Sequence, residues 1–270
     1  MKKLVSVIMP AYNCAEYIGD SIRSVQAQTY TDWELIIADD NSKDDTVRIV
    51  KEFADADSRI VLIESQENLG PAGARNKAIE AATGTYMAFL DSDDIWHAEK
   101  LERQTAFMEE NGYDFSFTSY EKIDENGENL GVVVRAPEKV DYNRLLYLGD
   151  PIGNLTVVFN AYIIGKHMVP DIRKRNDFAL WLSILKDNEY AYGLDEVLAQ
   201  YRIRIGSVSS KKLRLIKYHW KLYREIEKLS LPECAAAIAS LLVVKQFKMV
   251  REYFTKQKYK LHRVKNKSIP

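Results

Sequence analysis

Acidic and small polar residues collect at four points where apolar runs end: Pro10-Ala11-Tyr12-Asn13, Asp39-Asp40-Asn41-Ser42, Asn68-Leu69-Gly70-Pro71-Ala72-Gly73-Ala74-Arg75-Asn76 and Asp91-Ser92-Asp93-Asp94. Two carboxylates one residue apart after an apolar run, as in Asp91-Ser92-Asp93, present hard oxygens suited to Mg²⁺ or Mn²⁺ bridging a diphosphate. The Gly70 to Arg75 segment brings backbone close to a ligand and offers phosphate a helix N-terminus and a guanidinium. Any one of these clusters would also serve as a helix cap. Four of them at one edge of one fold exceed that need, because carboxylates crowded together repel unless a cation is present. Neither GxxxxGK[ST] nor GxGxxG occurs, which disfavours a P-loop and a nicotinamide cofactor. His97, His167, His219 and His262 are scattered, without HExxH, and Cys14 and Cys234 lie far apart, so a zinc site and a disulfide framework are not expected.

The elements that must position these clusters are legible as alternating patterns. Residues 4–10, 33–39, 60–64 and 85–90 are short runs rich in β-branched and aromatic residues, the pattern of buried parallel strands. Between them Ile18, Ile22 and Val25, then Val47, Val50 and Phe53, then Ala74, Ala78 and Ala81 recur at helical spacing. The order β-α-β-α-β-α-β predicts a doubly wound sheet with its ligand crevice at the carboxyl ends of the strands. A helix around 97–111, a hairpin turning through Glu125-Asn126-Gly127, a run at Leu155 to Phe159, a helix over 177–186 and a short strand at 197–201 follow, making the sheet mixed. The 270 residues, 46% hydrophobic and 29% charged, suffice for a substantial core. The first residues read as a strand rather than a secretory leader, no apolar stretch reaches the length of a bilayer span, and the cysteine usage suits the cytoplasm.

With those motifs in order, residues 1 to about 207 resemble the family 2 glycosyltransferases, on Val5 to Asn13, Asp39 to Thr46, Gly70 to Asn76 and Phe89 to Asp94. Phe115 to Tyr120 and Tyr192 to Glu196 are similar, more narrowly, to bacterial enzymes of capsular or teichuronic-acid-type surface polysaccharide. The resemblance implies an α/β GT-A (Rossmann-like) fold, a mixed and mostly parallel central sheet flanked by helices. Residues 1–95 would be the nucleotide-binding half and 96–207 the acceptor-side half. Pro10, Ala11, Tyr12 and Glu16 would line the uridine pocket, and Asp40 would accept the uracil N3 hydrogen. Gly70 and Arg75 would hold the nucleotide, Asp91 the ribose, and Asp93 a divalent metal, Mn²⁺ or Mg²⁺. In the string Asn176-Asp177-Phe178, Asp177 matches the family's catalytic base while Asn176 stands where a Glu is usual. Arg204 stands where a His is frequent and would contact the diphosphate as a permanent cation. Trp96 and Trp181 would either stack on a sugar or lie in the core. The implied reaction is metal-dependent, inverting transfer from a UDP-sugar to a saccharide acceptor, polyprenyl-diphosphate-linked in the narrower likeness.

The net charge of -1 conceals a division. Residues 202–270 carry a balance of +14 and residues 1–201 one of -15. Beyond a soft boundary near 207–210, Leu213, Ile216, Trp220, Tyr223 and Ile226 form an apolar stripe among Lys and Arg, and a second helix is expected over roughly 233–254 before a Lys-rich tail. This basic helical extension, 208–270, either docks its apolar face on the catalytic part or meets the anionic inner face of the cell membrane. No nucleic-acid recognition motif accompanies the charge. A catalytically silent nucleotide-sugar-binding or membrane scaffold is the alternative in a different class. A sugar nucleotidyltransferase is a third reading, weakened by the missing Gly-rich signature near the first strand.

Overall fold

The computed structural model describes residues 3–172, 174–204, 214–244 and 246. Four parallel strands, β1 (Val5–Ala11), β2 (Trp33–Asp39), β3 (Ile60–Glu64) and β4 (Tyr86–Phe89), alternate with α1 (Ile18–Gln26), α2 (Thr46–Ala56) and α3 (Gly70–Ala81). Alternation along each strand assigns its two faces. Val7 and Met9 of β1 and Leu35 and Ile37 of β2 pack into one buried cluster, with Ile18, Ile22 and Val25 of α1. Ile8 and Ile36 pack into the other, with Ala74 and Ala78 of α3. A strand buried on both faces needs apolar residues at every position, which is why these runs do not alternate with polar residues.

The sheet continues through β5 (Ile95–Trp96), α4 (Lys100–Asn111), β6 (Phe115–Ile123), β7 (Asn129–Val134), β8 (Lys139–Val140), α5 (Tyr142–Leu148), a 3-10 turn (Asn154–Thr156), β9 (Val158–Asn160), α6 (Ala161–Ile164), α7 (Asn176–Asp187) and β10 (Ala191–Arg202). The strand order is β3-β2-β1-β4-β9-β6-β10-β5, with β7 on β6 and β8 on β10. The insertion of β9, antiparallel to both β4 and β6, makes the ten-stranded sheet mixed. Two expectations change in detail. The helix expected around 97–111 begins at Lys100, after a two-residue strand, Ile95–Trp96, that pairs with β10, and the late strand is twelve residues long, with register shifts near Val197.

The α7 face carries an aromatic cluster: Trp181 lies edge-on to Phe89 at 5.3 Å and 5.7 Å from Phe115. After α8 (Arg214–Lys221) and a π-turn (Leu222–Ile226), residues 231–244 form α9. Leu222, Tyr223, Cys234 and Ala237 are buried in the same cluster as α3 and α7. The Tyr223 hydroxyl donates to the Leu146 carbonyl at 2.9 Å, and the buried Glu227 carboxylate accepts from Tyr142 at 2.6 Å and pairs with Lys186 at 2.8 Å. Of the apolar stripe, Tyr223 and Ile226 pack on this core, Trp220 is exposed, and Leu213 and the Ile216 side chain lie outside what is described. The 207–210 boundary, the remainder of the second helix beyond 246 and the Lys-rich tail lie outside the described residues.

Candidate active site

Because β1, β2 and β4 run parallel with Ile8 opposite Ile36 and Phe89, their carboxyl ends open onto one edge. There the loops are fastened to one another. Asn13, at φ 45°, takes a backbone bond to the Ser42 hydroxyl at 2.9 Å and accepts from the Lys43 backbone at 2.8 Å. The Asp40 carboxylate, 2% exposed, accepts from the Leu69 and Gly70 amides at 2.7 and 2.8 Å and so anchors the N-terminus of α3. A carboxylate has further lone pairs for another donor. Gly70 starts α3 at φ 77°, a conformation glycine adopts without strain, and a Cβ on Gly73 would stand 2.5 Å from that of Leu69. Pro10 and Ala11 end β1, Tyr12 is 51% exposed above them, and Glu16 is exposed beside α1.

Arg75 is the centre of the arrangement. Its buried guanidinium pairs with Asp91 Oδ1 and donates to Asn176 Oδ1 at 3.0 Å. Asn176 Oδ1 also accepts from the Asp177 amide at 2.7 Å, and the Asp177 carboxylate accepts from the Phe178 amide at 2.8 Å at the start of α7. Burial alone would push the Arg75 pKa down; the charges of Asp91, Asp177 and Asp93 outweigh it and raise it. One cation thus ties the Asp91 loop to the first turn of α7. Asn154 completes the grip, donating to Asp91 Oδ1 at 3.0 Å. Arg75 Nε and Asn154 Oδ1 are buried without a hydrogen-bond partner among the described residues.

The remaining acids are held in contrasting ways. Asp93 pairs through Oδ2 with Arg204 Nε at 2.7 Å. Burial and then the Asp91 charge push its carboxyl up, against the opposing pull of Arg204. Asp94 is fully buried and raised well above the ordinary carboxylate range by burial and its acidic neighbours, and it accepts from the Arg202 amide at 2.9 Å. Arg202 Nε in turn donates to the Asp93 carbonyl and Nη1 to the Glu125 carbonyl, both at 2.9 Å, clasping the acidic loop to the hairpin turn. Across the cleft, burial and then the Asp177 charge push Asp150 up to about 8, while its Oδ1 accepts from the Ile152 amide at 2.8 Å.

The structure therefore brings together Arg75, Asp91, Asn176 and Asp177, and joins Arg204 to Asp93. It removes Trp96 and Trp181 from sugar stacking: they are 3% and 0% exposed, and Trp96 Nε1 is committed to the Leu155 carbonyl at 2.7 Å, so neither ring face is open. Asn154, Asp150 and Arg202 were not singled out by the sequence. Asp150 lies in an irregular loop and Asn154 opens a three-residue 3-10 turn, neither with a periodic or motif signal, whereas the position of Arg202 at the end of a strand, two residues before Arg204, is an available sign.

A mostly parallel sheet whose carboxyl edge gathers the Asp91–Asp93 loop, an internal arginine and an acid at a facing helix start defines a glycosyltransferase of the GT-A class. The family model for Glycosyl transferase family 2 matches residues 6–163. TuaG of Bacillus subtilis, named as a teichuronic acid biosynthesis glycosyltransferase, is 46% identical over 228 residues, 84% of this chain and 90% of that protein. WfgD of Escherichia coli, a UDP-Glc:alpha-D-GlcNAc-diphosphoundecaprenol beta-1,3-glucosyltransferase, is 45% identical over 218 residues, 80% of this chain and 84% of its own. Among solved structures, S. aureus TarS 1-349 in complex with UDP-GlcNAc superposes with a TM-score of 0.69 at 23% identity, covering 90% of this chain and 72% of that one. The chain belongs to glycosyl transferase family 2 and is a glycosyltransferase.

Proposed function

We propose that this enzyme transfers a sugar from a UDP-sugar to a lipid-linked saccharide acceptor, with inversion at the anomeric carbon, in the synthesis of a bacterial surface polysaccharide. The observation that carries the reading is the Arg75 network, which fixes the Asp91 loop and the α7 acid Asp177 against one another around a single guanidinium. Pro10, Ala11, Tyr12, Glu16 and Asp40 receive the uridine, Asp40 through the lone pairs its helix cap leaves free. Gly70 and Arg75 hold the nucleotide and Asp91 takes the ribose.

Asp177 is the proton acceptor for the attacking hydroxyl. It stands in the first turn of α7, where its amide and that of Phe178 are held by side-chain oxygens and Asn176 links it to Arg75. A single carboxylate of this kind, acting through the acceptor oxygen, gives inversion. Asn176, in place of the usual acid, spends its carbonyl on Arg75 and the Asp177 amide and so holds the base in place rather than charging the pocket.

No cluster of three or more His, Cys, Asp or Glu side chains able to hold a metal occurs among the described residues. A hard cation can be held by a single protein carboxylate that leaves the rest of its shell to diphosphate oxygens and water; Asp91 is committed to Arg75 and Asn154, so Asp93 is the carboxylate that fits one. When bound, the cation neutralises charge developing on the departing UDP. Asp93 would hold it, and Arg204, now paired with Asp93, would meet the diphosphate.

The acceptor class rests on WfgD and TuaG, whose names specify a diphosphoundecaprenol-linked substrate and teichuronic acid. The test is turnover of UDP-sugars on a GlcNAc-diphosphate-lipid acceptor, with the product linkage read by NMR. A β-linked product from an α-linked donor is expected; a retained α-linkage contradicts inversion, and release of pyrophosphate instead of UDP contradicts the reaction class.

A further inference from the structure

The position where the family often carries His holds Arg204, and its guanidinium is already engaged. Nε lies 2.7 Å from Asp93 Oδ2, and Cζ sits 5.4 Å from the centroid of the Tyr17 ring. The Tyr17 ring also faces Arg202, whose Cζ is 5.1 Å away, so the second cation stands on the same aromatic platform. The pair is only partly sheltered, with the Arg204 side chain 38% and the Asp93 side chain 18% exposed. A neutral imidazole at this place would leave the carboxylate open to a metal. A permanent guanidinium at hydrogen-bond distance instead competes with a divalent cation for the same oxygen. A diphosphate, with several anionic oxygens in a plane-matching array, is the stronger acceptor for that guanidinium.

We propose that Arg204 is a built-in counter-cation for Asp93: it occupies the carboxylate until a diphosphate draws it away, so that this chain takes up a divalent cation together with the nucleotide and not before it. The inference rests on the reading of Asp93 as the metal-holding residue.

The experiment is Mn²⁺ binding to the full chain, followed by the electron paramagnetic resonance signal of free Mn²⁺, with and without saturating UDP. Wild type is expected to bind Mn²⁺ at least about tenfold more weakly without UDP than with it, which corresponds to about 1.4 kcal/mol of coupling. Arg204→Gln is expected to tighten nucleotide-free Mn²⁺ binding by about tenfold, and adding Asp93→Asn to that variant is expected to remove the gain. Unchanged or weaker nucleotide-free binding in Arg204→Gln, with UDP-dependent Mn²⁺ uptake intact in wild type, overturns the proposal and leaves the metal reading standing. Absence of Mn²⁺ binding with UDP in wild type overturns both. Should Arg204→Gln fail to fold, Arg204→Lys serves: a flexible point charge in place of the fork is expected to tighten nucleotide-free binding severalfold, and equality with wild type overturns the proposal.

Discussion

At the scale of single residues Asp177 and Asp150, which feels the charge of Asp177, make the sharpest predictions. Replacing Asp177 by Asn keeps the amide contacts but removes the proposed proton acceptor, so kcat should fall by roughly 10³-fold, within the usual range for a general base, while calorimetric UDP binding is retained. Loss of UDP binding in that variant would mean that Asp177 acts on the nucleotide site instead. Asp150 predicts a pH effect. Its folded carboxyl is pushed up to about 8, first by burial and then by Asp177, whereas an unfolded carboxyl titrates near 3.9. The folded state holds the proton more tightly between those values, so this group's stabilising contribution is complete at acid pH and is lost as pH rises towards 8. Asp150→Asn should therefore raise Tm at pH 8 relative to wild type and flatten the decline from pH 5 to 8. A parallel pair of Tm profiles would refute the assignment. Of the residues brought together here, Asp91 and Asp93 follow a strand and Asp177 opens a helix, which made them legible, whereas Arg75, inside α3, was reached only through the Gly-rich segment before it. Asp150 and Asn154 were not, since they enter the cleft through a loop whose course depends on packing far away in sequence.

The elements that carry the site were read correctly where their period was strong, in β1 to β4 and α1 to α3, and less well where tertiary pairing overrode local pattern. Trp96 looked like the approach to a helix and a candidate sugar platform; pairing of Ile95 and Trp96 with β10 and the bond to the Leu155 carbonyl turn it inward. Trp181 shares that fate because α7 is apolar on more than one face, packing against Phe89 and Phe115 and towards the C-terminal helices. Trp181→Ala should consequently act through the fold, costing about 3–5 kcal/mol by urea denaturation, with KM for donor little changed in the fraction that remains folded. A selective rise in KM with unaltered stability would restore a sugar-binding role. The N-terminus of α3 gives a second prediction. Gly73→Ala forces a Cβ against that of Leu69 at 2.5 Å, which disturbs the turn whose amides bind Asp40, so UDP affinity should drop together with stability. Stability and affinity both unchanged would show that the turn adapts freely.

For the whole molecule, the charge division visible in the sequence acquires a physical partition. Leu222, Tyr223 and Glu227 join the C-terminal region to α5 and α7, while Trp220, between Lys217 and Lys221, is exposed, as are Leu231, Leu242 and Val243 of a helix that carries no Lys or Arg over 231–244. No described helix is long and apolar enough to cross a membrane. Leu222, Tyr223, Cys234 and Ala237 are part of the core, so the membrane reading is tested by ending the chain at Val244, which keeps them and deletes the Lys-rich tail. That truncation should abolish sedimentation with phosphatidylglycerol vesicles, and unchanged sedimentation would assign the tail's charge another use. The central claim, that the carboxyl edge of the sheet is a metal-assisted UDP site, has a more direct test. It is calorimetric titration of UDP into the wild-type enzyme and the Asp93→Ala variant, each with and without Mn²⁺. The account predicts Mn²⁺-dependent binding in the wild type that is lost in the variant; absence of UDP binding by the wild type under either condition would contradict it.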